Sequence, residues 1–363
     1  MFGNFFKNKK ILVTGHTGFQ GSWLVLWLKL LGAEVTGISL PPPTKPSFFK
    51  SLKLENVITH KIIDVRDLTK LKKTIELNQP EIIFHLAAQS LVRKSYKKPL
   101  ETFSTNILGT VNILECIRSS TTVKGCIIFT SDKSYENIGI ERAYKENDRL
   151  GGSDPYSASK AAAEIITTAY RNSFFNENDN AKIATIRAGN VIGGGDWAED
   201  RLIPDFVRAI TNKEKIKIRN PEHTRPWQFV LEPLCGMLWL ATKIVCEQKF
   251  SQAWNFGPPI ERKQYTVNKL LGKICSEWKI NESIIKKIPN TNLHEDKFLN
   301  IDSSKAKKLL GLKPVYNLEK TITETVDWYK YFLENENDIK NFSIQQIKNF
   351  VNNAKQSNLS WTN

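Results

Sequence analysis

The sequence predicts an α/β protein built on a doubly wound parallel sheet, with a smaller substrate-binding lobe toward the C-terminus. Three observations predict it. Short apolar runs of strand length alternate with helix-patterned segments through the first 190 residues, the rhythm that puts helices on both faces of a parallel sheet. A glycine-punctuated turn separates the first such strand from the first helix, the context of a Rossmann-type dinucleotide loop. Polar, reactive segments follow later strand ends, where ligands gather in such sheets.

The elements follow in order. Residues 9–14, Lys-Lys-Ile-Leu-Val-Thr, read as a basic start to a buried strand. Gly15-His16-Thr17-Gly18-Phe19-Gln20-Gly21 comes next and is assigned to the cofactor. Glycine permits the tight turn and lets backbone approach a pyrophosphate. The following helix N-terminus offers unpaired N–H donors and partial positive charge. That helix, Ser22 to Leu31, is too short to span a bilayer, which needs about 20 residues. It reads as a helix buried against the sheet.

Ala33 to Leu40 is the second strand, ending Ser39-Leu40-Pro41-Pro42-Pro43. No acid stands there for an adenosine ribose and no arginine for a ribose phosphate, although Lys45 is near. NAD and NADP both stay open at this end. Asp64 and Val65, after a third strand from His60 to Ile63, could meet the adenine; a plain strand-end turn acid is an equal reading of Asp64. Glu81 to Ala88 is the fourth strand. Its end, Leu86-Ala87-Ala88, is assigned to the cofactor and Gln89 to the substrate. Asn106 to Thr110 opens or lies in a helix. Lys124 to Thr130 and Ala181 to Arg187 are the next strands, the latter ending at Ala188-Gly189-Asn190.

Two segments carry the chemistry: Thr130-Ser131-Asp132-Lys133 and Tyr156-Ser157-Ala158-Ser159-Lys160. Tyr156 and Lys160 are four apart and share one helix face. A free tyrosine has a pKa of about 10. A nearby ammonium favours the phenolate, and an oxidised nicotinamide acts in the same direction. Tyr156 could then take a sugar hydroxyl proton while hydride leaves. Simple oxidation needs no further acid and amine; elimination of water does. Oxidation at C4 of a hexose acidifies the C5 proton, a base removes it, an acid protonates the departing C6 oxygen, and hydride returns to C6. The cofactor is regenerated and stays bound. Asp132 and Lys133 are the candidates. A base lysine must be neutral and an acid aspartate protonated, both favoured by burial. The residues alone leave open which does what, and a solvated Asp-Lys turn is an equal reading.

The chain resembles the nucleotide-sugar 4,6-dehydratases of the extended short-chain dehydrogenase/reductase family. The carrying segments are GHTGFQGSWL (15–24), SLPPPTKPS (39–47), AAQSLVRKSY (87–96), TSDKSYEN (130–137), DPYSASK (154–160), RAGNVIGGGDWAEDRLIPD (187–205) and RNPEHTRPWQFVLEPL (219–234). The resemblance implies that Ser131 bonds the C4 hydroxyl, Asp132 is the acid toward the C6 oxygen, and Lys133 is the C5 base. It matches Tyr156 and Lys160 to the family pair and implies NAD as cofactor. Lys133, where dTDP-glucose dehydratases carry Glu, points to the CDP branch and so to CDP-glucose, in deoxysugar supply for surface polysaccharide. Asn190, Asp196, Arg201, Arg219 and Arg225 fall in blocks that, by resemblance, hold the nucleotide sugar; guanidinium groups suit phosphate oxygens. Three departures stand out: Ser134 for Cys, Gln20 for a basic residue, and Phe229 for His.

Gly193-Gly194-Gly195-Asp196-Trp197 reads as a bend over the sugar nucleotide, with Trp197 either covering a ring or anchoring the loop in the core. The expected organisation is a cofactor domain at 1–190, with 230–256 returning to it. A substrate lobe is expected at 191–229 and 257–334, and a polar extension at 335–363. Trp254 to Gly257 is a short strand at the border, and Ser303 to Ala306 starts a helix. Within the extension, Ile344 to Phe350 has helical spacing, and the end reads as a disordered tail.

At 363 residues the chain can bury a large core. Five cysteines without C-x-x-C spacing read as reduced thiols, and five histidines form no metal pattern. A cytoplasmic enzyme without metal, membrane or signal segment is expected. The net charge of +15 would suit nucleic acid, but no such module is present, so a basic surface that attracts anionic sugar nucleotides is expected instead. The resemblance implies a homodimer or higher homo-oligomer, through helices near 100–118 and 157–174. The competing readings are a nucleotide-sugar 4-epimerase, a dehydratase for another nucleotide hexose, and a non-catalytic NAD-binding scaffold. An epimerase needs no Asp132-Lys133 pair, and a scaffold needs no Ser131, Tyr156 and Lys160.

Overall fold

The computed structural model describes residues 1–139, 142–176, 181–258, 265–289 and 298–363. Seven strands form one sheet: β1 (Lys10–Thr14), β2 (Glu34–Ser39), β3 (Thr59–Ile62), β4 (Ile82–His85), β5 (Gly125–Phe129), β6 (Lys182–Ala188) and β7 (Ala253–Phe256). Their order is β7-β6-β5-β4-β1-β2-β3, and every pairing is parallel. The order reverses between β1 and β4, so a crevice opens beyond their carboxyl ends.

Side chains alternate across each strand, and the two faces build separate cores. Ile11 and Val13 of β1 join Phe84, Ile127 and Ile186 on one face. There they meet α1 (Phe19–Leu30), which buries Trp23, Leu24 and Trp27. Leu12 points the other way, to Ile83, Cys126, Ile128 and Ile183. That face is covered by α2 (Leu68–Asn78), α3 (Gly109–Arg118) and α4 (Pro155–Phe174). Asp154 caps α4: its Oδ1 accepts from the N–H groups of Tyr156 and Ser157 at 2.9 and 3.0 Å. Pro155 opens the helix where its missing N–H costs no helical bond. The cap thereby fixes where Tyr156 stands.

The smaller lobe contains α5 (Leu202–Thr211), α7 (Val267–Trp278) and α8 (Leu318–Asn335), with α6 (Leu231–Cys246) returning to the sheet ahead of β7. Two short parallel pairs tie it, Val191–Ile192 with Gln228–Phe229 and Ile216–Ile218 with Ile285–Lys287. Positions 259–264 and 290–297 of the expected lobe lie outside the described residues. Trp254 to Phe256, placed by the sequence at the lobe border, forms an edge of the main sheet. No described helix is long and apolar enough to cross a membrane.

The extension departs from its expected disordered end. Here α9 (Ile339–Gln356) buries Ile347, Phe350, Val351 and Ala354, and Trp361 is 1% exposed. The Trp361 ring stacks on Phe2 with centroids 5.3 Å apart and meets Trp27 and Phe350. Gly3 N–H donates to the Asn363 carbonyl at 2.7 Å. A few large apolar residues on one face outweigh an Asn-rich composition, which lies mostly on the solvent side. Trp361→Ala should therefore cost roughly 3–5 kcal/mol, read as a lowered urea midpoint with an unchanged slope; an unaltered midpoint would contradict this packing.

Candidate active site

The glycine turn is shaped by contacts that admit no side chain. Gly15 has φ +76°, and a Cβ there would meet the Ala87 backbone nitrogen at 2.7 Å. A Cβ on Gly21 would meet the Gly15 carbonyl oxygen at 2.2 Å. Gly18 is the N-cap of α1, with no side-chain cap, so the first-turn N–H groups stay available to an anion. Thr17 Oγ1 pairs with Ser39 Oγ at 2.8 Å. This crevice is continuous with a cavity of about 600 Å³ lined by Gly15, Thr17, Gly18, Phe19, Gln20, Gly21, Asp64, Val65, Leu86, Ala87 and Ala88. The cradle fits a dinucleotide diphosphate. Gln20 Oε1 is buried there without a hydrogen-bond partner.

His16 does not belong to that lining. Gly37 of β2 leaves it room, since a Cβ there would strike the His16 ring at 2.5 Å. The ring turns away to His60, Nε2 to Nδ1 2.6 Å. Burial, then the His60 charge, pulls its pKa down to about 4, so it serves as a neutral brace between the turn and β3. Asp64 lines the crevice, but both carboxylate oxygens accept from Arg66, whose hydrogen bonds hold it below the usual carboxylate range.

Beyond β5 the backbone turns sharply at Asp132–Ser134. Ser131 Oγ accepts from the Lys133 N–H at 3.2 Å and donates to Asp132 Oδ1 at 3.1 Å. Asp132 is 2% exposed, and its Oδ2 has no partner. Lys133 Nζ lies 3.6 Å from Asp132 Oδ1. Ser134 Oγ donates to the Ser131 carbonyl at 2.7 Å and so closes the turn. Ser131, Asp132, Lys133, Tyr156 and Lys160 all line the same cavity.

Burial pushes the Tyr156 phenol up to about 12; a hydrogen bond with Ser131 and the Arg201 charge oppose this, while Asp132 and Asp154 add to it. The phenolate expected from a neighbouring ammonium is thus not what the protein groups alone produce. Lys160 Nζ donates instead to the Phe129 carbonyl at 3.1 Å. Burial pulls this amine down to about 8, against the Glu164 charge.

The substrate side is basic. Arg201 bonds Asp196 Oδ2 at 2.9 Å and Ser90 Oγ at 3.0 Å. Asp200, at φ +59°, receives Arg219 at 3.3 Å and Arg93 at 3.4 Å on one oxygen. Arg225 is buried, with Nη1 donating to the Thr224 carbonyl at 2.8 Å. Asn190, Asp196, Arg201, Arg219 and Arg225 line the cavity. Gln89 does too, yet its amide is spent within the protein: Oε1 accepts from Leu91 N–H, and Nε2 donates to Thr102. These bonds hold the strand-end loop.

Trp197 lines the cavity and is packed against Tyr329 and Phe332 with centroids 5.2 and 5.0 Å apart. Sequence reasoning missed Ser90, Arg93, Lys217 and His223, all in the lining. Arg93 sits inside the quoted segment 87–96, and only the fold carries it to face Arg219.

The GDP-mannose 4,6 dehydratase family model matches residues 12–325. A CDP-glucose 4,6-dehydratase of Salmonella typhimurium is 45% identical over 353 residues, covering 96% of this chain and 98% of the relative. A dTDP-glucose 4,6-dehydratase of Escherichia coli is 29% identical, covering 88% and 93%. The solved dTDP-glucose 4,6-dehydratase of Streptomyces venezuelae, with NAD and TYD bound, is similar at a TM-score of 0.77 and 23% identity, covering 90% and 97%.

The glycine cradle is directly testable. A saturating dinucleotide at 100 times its Kd stabilises a folded protein by about 2.7 kcal/mol. Gly21→Ala should lower the melting temperature of the ligand-free protein and remove the ligand-dependent rise; a preserved rise would contradict the close approach of α1 to Gly15.

Proposed function

Since the chain belongs to the GDP-mannose 4,6-dehydratase family, we propose that it converts CDP-glucose to CDP-4-dehydro-6-deoxyglucose, with NAD as resident cofactor. It is a hydro-lyase. The observation that carries the chemistry is Asp132, buried with one carboxylate oxygen unpartnered, beside Lys133 and in one cavity with Tyr156. The relative at 45% identity supports CDP over dTDP as the nucleotide.

Each residue's part is the one that the family resemblance implies, and its surroundings support it. Ser131 orients the C4 hydroxyl toward Tyr156 Oη, which takes its proton. Bound NAD would supply hydride chemistry at C4 and C6, and a proton delivered back to C5 completes the product. Lys160, as an ammonium, favours the phenolate at that moment. Lys133 Nζ removes the C5 proton, and Asp132 gives its proton to the C6 oxygen, which leaves as water. The step uses Lys133 as the neutral amine and Asp132 as the protonated acid. Arg201, Arg219 and Arg225 hold the diphosphate, and Thr17, Gly18 and the α1 N-terminus hold that of the cofactor.

The reading includes a homodimer in the cytoplasm. The segment 99–118 and α4 leave Leu100, Leu108, Ile165 and Phe174 exposed, an apolar face that a second copy would cover.

Proton NMR of the enzyme with CDP-glucose and NAD in D2O should develop a new methyl signal with deuterium at C5. No methyl signal would overturn the reading, and a signal from dTDP-glucose alone would overturn its nucleotide. Asp132→Asn should slow methyl formation roughly 100- to 10,000-fold.

Lys160 also predicts a pH dependence. Its ammonium is present below the folded pKa and lost as pH rises through about 8. The value of kcat/KM should therefore descend above that pH, and a profile flat to pH 10 would contradict the ammonium role.

A further inference from the structure

Beneath the catalytic turn lies a buried ionic network that the elimination does not use. Glu164 stands four residues after Lys160 on α4, on the same helix face, and is fully buried. Thr130 Oγ1 donates to its Oε1 at 2.5 Å, and Thr185 Oγ1 and Arg187 Nη2 donate to its Oε2 at 2.8 Å. Thr130 immediately precedes Ser131, so this carboxylate grips the strand end from which the catalytic turn starts. Arg187 continues the network through Nη1 to Tyr135 Oη and the Glu146 carbonyl, both 2.9 Å. Tyr135 donates on to Asn255 of β7.

The groups facing Lys160 come from each neighbouring element. On its own helix Tyr156 precedes it and Glu164 follows. From β5 the Phe129 carbonyl accepts its bond. From β4 comes His85, which burial and the Lys160 charge push down to about 3, leaving it neutral. Glu164 in turn faces Arg187 from β6 and Arg171 from α4.

We propose that Glu164 is a positioning residue with two duties: one helical turn from Lys160 it is the buried counter-charge of that side chain, and it is the brace that ties Thr130 and the Ser131 turn to α4. The inference rests on the dehydratase reading for its consequence in catalysis. Burial would raise Glu164, but the Arg187 charge and its three donors hold it down as a carboxylate. Burial lowers Lys160 and Glu164 opposes that. Neutralising Glu164 must therefore lower Lys160 further.

The test compares the full-length wild type, Glu164→Gln, Glu164→Asp and the double variant Glu164→Gln/Arg187→Met. The double variant removes the Glu164–Arg187 pair together, so Arg187 is not left facing a neutral side chain, and keeps the test open should Glu164→Gln fail to fold. The first readout is the pH titration of the ¹³Cε resonance of Lys160, assigned with Lys160→Met. It needs no substrate and stands apart from the dehydratase reading. Lys160 should titrate about one unit lower or more in the Gln variants and near the wild-type value in Glu164→Asp. The second readout is CDP-glucose turnover against pH. The alkaline limb of the Gln variants should move down with it, with kcat at pH 8 falling on the order of tenfold while KM stays the same. An unshifted Lys160 titration in the Gln variants would overturn the inference even if the wild type is a dehydratase. A uniform kcat loss with an unmoved alkaline limb would overturn it as well.

Discussion

The catalytic end of this molecule depends on one buried ion pair, Arg187 with Glu164, at 3% and 0% side-chain exposure. Two charges taken out of water are costly unless hydrogen bonds answer their remaining valences. Here Thr130, Thr185, Tyr135 and the Glu146 carbonyl answer most of them, while Arg187 Nε stays buried without a partner. The pair and its partners come from α4, β6, the end of β5 and the segment after the catalytic turn. Satisfying the pair therefore fixes four pieces of chain relative to one another. Ser131, Lys160 and Tyr156 are held by the same pieces, so site geometry and buried charge are one constraint.

A second constraint joins the cofactor crevice to the substrate lobe. The Gly193–Gly195 turn runs between aromatic walls from both. A Cβ on Gly194 would strike the Trp328 ring at 1.9 Å, and one on Gly195 would meet Phe48 at 2.5 Å. Trp23 of α1 donates its indole N–H to the Gly194 carbonyl at 2.9 Å. Trp197 then packs on α8 through Tyr329 and Phe332. The loop carrying Asp196 and Arg201 is thus wedged against the helix that starts at the dinucleotide turn. Close packing transmits position between such sites because the interior has little slack.

Much of this was legible in the chain. Alternating apolar runs locate β1 to β6 within a residue or so, except that β4 stops at His85 rather than Ala88, because one strand or one helix must bury a face whatever its neighbours are. The glycine turn is legible for a steric reason: Gly15 and Gly21 stand where no Cβ fits. Tyr156 and Lys160 are legible because four residues make one helical turn. The sequence misjudged groups whose role depends on what fills the next few ångströms. His16 looks like part of the phosphate loop until Gly37 opens a slot for its ring. Gln89 looks available until Leu91 and Thr102 use its amide. The end of the chain looks disordered by composition, but Trp361 has a partner in Phe2, some 360 residues earlier.

By itself, then, the sequence determined the fold class, the cofactor turn and the two reactive segments. Periodicity, steric permission and short-range spacing are local properties of a chain. Only the tertiary structure decided which charges meet. It brought Glu164 to Thr130 and Arg187, Arg93 to Asp200 opposite Arg219, and Asp132 to a buried place with one oxygen unspent. Those meetings depend on burial and on distances of a few ångströms between residues far apart in the chain, where electrostatic energy varies most steeply.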